Sequence, residues 1–348
     1  MITNPTPQRA LRGHKPRRTQ ARAAVSGEYV AWLAPRLTDR DRWLAHMLYE
    51  HKVLTTNQIA QIGWPSARAA NLRLLQLYKW RVIDRFQPFV NSGSAPMHYI
   101  LDLAGAAALA RGHGVEVREL DYRHDRAMGM AYSLRLAHTV GTNSFFAALT
   151  HHSRRPEATG RLTAWWSEYR CYRHFGDMVR PDAYGRWHEG HIEFEWFLEY
   201  DFGTERPADR VGAKLAGYAR LAATTGITTP VLLWLPTTDR EAQVRRALAA
   251  ALSSLHDPSL VPVATSSAEL IGDPEHEGPA GAHWLPLDTA AGLARKRQRL
   301  AQLSRAWPQL APVSTASPTT AASSSDPAGP LPPPAPLPPD ASCSGPVW

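Results

Sequence analysis

Between His191 and Phe202 the chain reads HIEFEWFLEYDF, alternating apolar and polar residues at a period of two. Ile192, Phe194, Trp196, Leu198, Tyr200 and Phe202 share one face of a predicted strand, and Glu193, Glu195, Glu199 and Asp201 share the other. Acids repeated along one face repel, so the pattern calls for water, a cation or a basic partner above them. Seventeen residues before Glu199 stands Asp182, in the run Met178-Val179-Arg180-Pro181-Asp182. A lone Asp on one strand and an acid pair on the next is an arrangement that holds divalent metal in nucleases. The competing expectation is a strand whose acid row simply faces solvent.

Upstream the apolar period is helical. Thr38 precedes DRDRWLAHMLYEHK with Asp41 three residues on, which predicts an N-cap, and Leu44, Met47 and Leu48 supply the apolar stripe. Thr55 and Gln58 predict a capping box opening TNQIAQIG, which Gly63-Trp64-Pro65 breaks. Ser66 caps ARAANLRLLQLYKW. There Ala70, Leu74, Leu75, Leu77 and Tyr78 fall on one arc, and Arg68, Arg73, Gln76 and Lys79 on the other. A short helix, a tight turn and a second helix with a basic outer face form a helix-turn-helix. Strands over 82–86 and 97–101, joined by the turn Asn91-Ser92-Gly93-Ser94, complete a winged helix. If it binds DNA, Arg68, Asn71, Arg73 and Gln76 reach base edges, and Arg73 or Lys79 reaches phosphates. The same face would also suit a protein-interaction module.

Beyond a predicted linker at 113–126, MGMAYSLRLAHTVGTNSFFAALTHHSRR gives one long helix or two abutting ones. Its His138 is expected as a packing residue. A strand over 162–166 ends at Glu168. The Pro181-Asp182 strand and strand 191–202 are joined by a turn at Arg186-Trp187-His188-Glu189-Gly190. Pro207 starts a helix, where its missing N–H costs nothing, and that helix places Lys214 and Tyr218 one turn apart. Val231–Leu235 is a buried strand, 240–255 a helix, Val261–Ala264 a further strand, and LARKRQRLAQLSRAW a basic amphipathic helix.

Composition narrows the class. The 348 residues suffice for about two domains, and 44% hydrophobic content with 12 Trp supports real cores. No apolar run reaches the roughly 18–20 residues of a membrane span, and no secretory signal is visible. With only Cys171 and Cys343, a structural disulfide is not expected, which places the chain in the cytoplasm. The net charge of +8 favours a polyanionic partner. Arg9, Arg12, Lys15, Arg17, Arg18 and Arg22 concentrate part of it in an arm, residues 1–36, that either touches phosphates or merely solubilises. Residues 311–348, rich in Pro, Ser and Ala, cannot bury a core and are expected to be disordered. The predicted organisation is therefore the arm, a winged helix over 37–112, the linker, an α/β domain over 127–306 and the tail.

The order helix, strand, strand, strand, helix, strand resembles the PD-(D/E)xK nuclease-like core, carried by Pro181-Asp182 and Glu199-Tyr200-Asp201. The resemblance implies a restriction-endonuclease-like α/β domain in which Asp182 and Glu199 hold Mg²⁺. Asp201 stands where that superfamily has its lysine. Lys214, on the following helix, is then the candidate to reach back into the site.

The runs SARAANLRLLQLYKWRVIDRF, LRLAHTVGTNSFFAAL and RPDA…FLEYDFGTE…KLAGY, spanning about 37–237, together resemble the replication-relaxation family of actinobacterial and plasmid-borne proteins. That resemblance implies binding of double-stranded DNA in plasmid or mobile-element replication and maintenance. A homodimer, a relaxase or a replication protein are the further candidate partners. The expectation is thus a DNA-binding protein rather than an enzyme. The alternatives are a Mg²⁺-dependent endonuclease or nicking enzyme using Asp182, Glu199, Asp201 and Lys214, and a winged-helix transcriptional regulator.

Overall fold

Local capping chemistry and two β-sheets divide the chain into two compact units in the computed structural model, which describes residues 25–90, 93–203, 207–271, 277–287, 296–310 and 329–339, with the backbone alone at 207–212. Arg155–Ala328 belong to one unit; Pro5–Arg154 and Gly329–Trp348 belong to the other. The basic arm up to residue 24, and Asn91 and Ser92 of the predicted turn, lie outside the described residues.

The N-terminal unit begins with α1 (Gly27–Leu33) and α2 (Asp39–His51). Thr38 caps α2 by accepting from the Asp41 N–H while the Asp41 carboxylate accepts from the Thr38 N–H at 2.7 Å, the expected reciprocal box. Strand β1 (Leu54–Thr55) leads into α3 (Thr56–Gly63), where Thr55 and Gln58 form the second box. Ser66 caps α4 (Ala67–Lys79). Strands β2 (Ile83–Phe86) and β3 (His98–Leu101) pair antiparallel, and β1 adds to the other edge of β3, giving the order β1-β3-β2. Helix α5 (Leu103–His113) follows, capped by Asp102.

Two segments sit differently from the sequence expectation. Residues 113–126 are not a bare linker: they contain a 3-10 turn and open α6 (His124–Met128). Helix α7 (Leu136–Ser153), expected in the second domain, packs in the first unit against α3. Its polar residues explain why. The Gln58 amide donates to the Val140 carbonyl and to Ser144 Oγ, both at 2.8 Å, and the Asn143 amide donates to the Val53 carbonyl at 2.8 Å.

The C-terminal unit is a six-stranded mixed sheet in the order β4-β5-β6-β7-β8-β9. Strands β4 (Gly160–Ser167), β5 (Ala183–Glu189) and β6 (Ile192–Tyr200) run antiparallel to one another. Strands β7 (Val231–Leu235) and β8 (Val263–Ser267) continue parallel to β6, and β9 (Leu285–Pro286) closes antiparallel. Helix α8 (Glu168–Phe175), absent from the sequence reading, separates β4 from β5, so Glu168 opens a helix rather than ending a strand. The predicted turn at Arg186–Gly190 is instead the body of β5, and the loop is only Gly190-His191. Gly190 has φ +63°, a left-handed conformation suited to glycine at the first position of a two-residue hairpin loop.

Helices α9 (Pro207–Thr225) and α10 (Thr238–Ser253) cover one face of the sheet. Phe197, Leu215, Tyr218, Leu221, Leu233 and Val244 form that core. On the other face Phe194 stacks on Trp196 and on Trp307, which follows a 3-10 segment at Leu300–Ala306. The final segment is therefore not the amphipathic α-helix expected; within the described residues its helical part is this 3-10 segment. Among the described residues no helix is long and apolar enough to cross a membrane.

Candidate functional site

The acid row of β6 does not face solvent. In the β5–β6 register His188 lies opposite Glu193, Arg186 opposite Glu195 and Tyr184 opposite Phe197. Each acid has its own partner. Glu193 is bonded to His188 Nδ1 at 2.8 Å and accepts from the Thr163 hydroxyl at 3.1 Å. Glu195 accepts from the Tyr184 hydroxyl at 2.5 Å and from Arg186 at 3.1 Å. Burial first, and the adjacent Glu195 carboxylate second, push the Tyr184 phenol well above its ordinary range, so it stays a proton donor. Asp201, just past the strand, pairs with Arg240 of α10 at 2.8 Å and accepts from the Gly203 N–H. The repulsion expected along this face is offset residue by residue, by hydrogen bonds from His188, Thr163 and Tyr184 and by the cations Arg186, Lys214 and Arg240.

Just before β5, the Asp182 N–H donates to the Leu198 carbonyl at 3.1 Å, which brings its carboxylate beside Glu199 and sets acid against acid. Like charges this close destabilise each other when both are ionised. Both side chains are buried. The offset comes from α9: Lys214 forms an ion pair with Glu199 Oε2, and the Tyr218 hydroxyl donates to Glu199 Oε1 at 2.6 Å. Asp182 Oδ2 accepts from the Tyr200 N–H at 2.8 Å. Burial raises the Glu199 carboxyl from 4.5 to about 7; Asp182 adds to the rise, and Lys214 opposes it. Burial, with Glu199 second, also pushes the Tyr218 phenol well up. The structure therefore brings Asp182, Glu199 and Lys214 together. It leaves Asp201 apart in this respect, with its own arginine.

The donor set would suit a hard cation, since Asp182 and Glu199 offer carboxylate oxygens. Both Glu199 oxygens already accept, from Lys214 and Tyr218, and one Asp182 oxygen accepts from the backbone. The ammonium of Lys214 also supplies positive charge at the pair, so a divalent ion would compete with Lys214 and Tyr218 for Glu199.

The second candidate surface is α4. Arg68, Asn71 and Lys79 are exposed and Gln76 is half-buried. Arg73 is spent inside the unit. Its guanidinium donates to both oxygens of the buried Asp41 and to the Arg36 carbonyl, and it lies over the Trp80 ring. This pairing follows because Asp41, already fixed by the Thr38 cap, needs a counter-charge once buried. Leu75 differs too. Assigned to the inner arc, it is 40% exposed, and Leu72 is 65% exposed, so an apolar pair lies between Arg68 and Lys79 on the outer face.

A scan against family models finds the replication-relaxation family over residues 46–232, more than half of the chain. The chain belongs to the replication-relaxation family. No curated protein and no solved structure matches it. The family segment contains α4, the Asp182–Glu199 pair and Lys214, and it ends in β7. Arg240, which neutralises Asp201, and the proline-rich segment 329–339 lie beyond it.

One cluster in this family member escaped the sequence reading. Asp84 on β2, Asp102 at the cap of α5 and His124 at the start of α6 bring ligand-type atoms within 4.8 Å of one another. His124 Nε2 lies 2.9 Å from Asp84 and 3.8 Å from Asp102. Both acids also accept from the backbone N–H that follows them, Arg85 and Leu103. The available signal was polarity in apolar surroundings: Asp84 follows Val82-Ile83, and Asp102 follows Tyr99-Ile100-Leu101. The imidazole, lying in the presumed linker, had no sequence cue.

Proposed function

We propose that this replication-relaxation protein binds duplex DNA in plasmid or mobile-element replication and maintenance, with its N-terminal unit acting as a winged helix and α4 as the recognition helix. The exposed strip Arg68, Asn71, Lys79 is the observation that carries this. It supplies two cations for phosphates and an amide suited to an adenine edge. Leu72 and Leu75, exposed between them, offer apolar contact to thymine methyl groups. The α3–α4 turn and the β2–β3 hairpin support the same assignment, the hairpin serving as the wing. The overall charge of +8 adds a non-specific attraction to phosphate.

Anisotropy of a labelled duplex across roughly 50–200 mM salt tests this. Binding is expected to weaken linearly in log–log form, and Arg68→Ala/Lys79→Ala to lower that slope by about two contacts, near 0.9 each. An unchanged slope and affinity in the double variant would remove α4 from the interface.

A second reading, Mg²⁺-dependent cleavage by a nuclease-like C-terminal unit, is favoured by the convergence of Asp182, Glu199 and Lys214. The engaged carboxylate oxygens weigh against it. Supercoiled plasmid incubated with Mg²⁺ decides: cleavage lost in Asp182→Ala supports catalysis, and equal conversion by both proteins rejects it.

A further inference from the structure

We propose that the N-terminal unit carries a polyproline-binding site centred on Trp43, and that residues 331–338 of the same chain are its tethered ligand. The segment reads Leu331-Pro332-Pro333-Pro334-Ala335-Pro336-Leu337-Pro338. Proline fixes φ near −65°, so such a run is biased toward the three-residue-per-turn polyproline helix before it meets anything. That helix has no internal hydrogen bonds, which leaves its carbonyls available to a partner. Grooves that recognise it are lined by aromatic rings.

The described part of the tail behaves as such a ligand. Composition alone predicts disorder throughout 311–348; residues 311–328 and 340–348 lie outside the described residues, but 329–339 pack within the N-terminal unit. Leu331 and Pro334, three apart, are buried, whereas Pro332 and Ala335, also three apart, are exposed. Pro336 and Pro338 are buried beyond them. Ala335 turns its side chain to solvent, yet its carbonyl accepts from the Trp43 indole N–H at 2.7 Å. Trp43 is itself buried on α2, and its ring abuts Gly63 at the end of α3 so closely that a Cβ there would lie 3.0 Å away. Arg40, one turn before Trp43, places its guanidinium over the neighbouring Trp64. The segment pairs with no strand. It is held by spaced apolar side chains and an indole-to-carbonyl bond, which is how a peptide ligand is held. Both Trp43 and the segment lie outside the replication-relaxation match, so this is a property of this chain rather than of the matched span.

A tethered ligand competes with any free one. A tether whose reach matches the span to its site gives an effective concentration of up to about 1 mM, so a site with a dissociation constant of about 0.1 mM is masked up to roughly tenfold. The test uses the full-length chain, a Leu331→Ser/Pro334→Ser variant, and a fluorescent peptide of residues 329–339. The peptide is expected to bind the double variant about tenfold more tightly than wild type, because the variant's own segment no longer competes. Adding Trp43→Phe to that variant removes the donor and is expected to weaken the peptide by roughly three- to tenfold. Should Trp43→Phe fail to fold, exchange of the Trp43 indole N–H, followed by NMR in the two Trp43-containing proteins, is expected to be at least about tenfold faster in the double variant. No peptide binding to the double variant up to about 1 mM, or equal indole exchange in both, overturns the proposal. A wild-type dimer dissociated by the peptide would assign the segment to a second copy and overturn the tethered arrangement.

Discussion

Replacing Glu199 with Gln asks whether the acid pair governs stability. The amide keeps the shape of the side chain and removes its charge. In the folded protein the Glu199 carboxyl sits at about 7, against 4.5 when unperturbed, chiefly because it is buried. At about 1.4 kcal/mol per tenfold change in proton affinity, that rise corresponds to roughly 3 kcal/mol. The sign follows from linkage. A carboxyl whose affinity for protons is higher in the folded state favours folding below 4.5, and that advantage is lost as pH rises through about 7. Wild type is therefore expected to lose roughly 2–3 kcal/mol relative to Glu199→Gln between pH 4.5 and pH 8. Urea unfolding of both proteins across that window, at constant ionic strength, measures the difference. Because every other carboxyl is common to both, Glu199 dominates the change. Profiles that run parallel within about 0.5 kcal/mol would refute the account of a buried acid held against a second acid.

Two further outcomes separate structure from DNA contact. Arg73→Ala is expected to destabilise the chain by about 2 kcal/mol, since Asp41 keeps the Thr38 N–H and hydroxyl but loses its counter-charge, and to leave the salt slope of DNA binding unchanged. A slope lowered by one contact would return Arg73 to the interface. His124→Ala, which strips the imidazole from between Asp84 and Asp102, is expected to lower stability by about 2–3 kcal/mol in urea unfolding, and a loss below about 0.5 kcal/mol would mean the cluster is held by its backbone bonds alone.

Features written into short stretches of sequence were legible. The Thr38 and Ser66 caps and the Thr55–Gln58 box each need only about four residues to be seen, and each formed as expected. The alternation over 192–200 marked β6, and the 17-residue spacing marked Asp182 as Glu199's neighbour. What was hidden depended on distant partners. Arg73 reads as an outer-face cation until Asp41, 32 residues away, is known to be buried beneath it. Arg186 and His188 looked like turn residues because polar and aromatic side chains alternate there without an apolar face. Their match to Glu195 and Glu193 appears only once Gly190 is recognised as the first of two loop residues. Segment 329–339 was hidden because composition describes what a stretch can bury alone, and its partner is Trp43.

The brevity of the Gly190-His191 connection sets how much length variation this part of the protein can accept. Side chains on a strand change sides with every residue, so one amino acid inserted there, unless it is taken up as a longer loop, would shift the pairing by one and turn β5 or β6 to the opposite face. Arg186 or Glu195 would then be turned toward the face that holds Trp165, and Trp187 or Trp196 toward α9 and α10. A change of length is therefore accepted at this link only where it enlarges the loop and leaves the β5–β6 register as it stands.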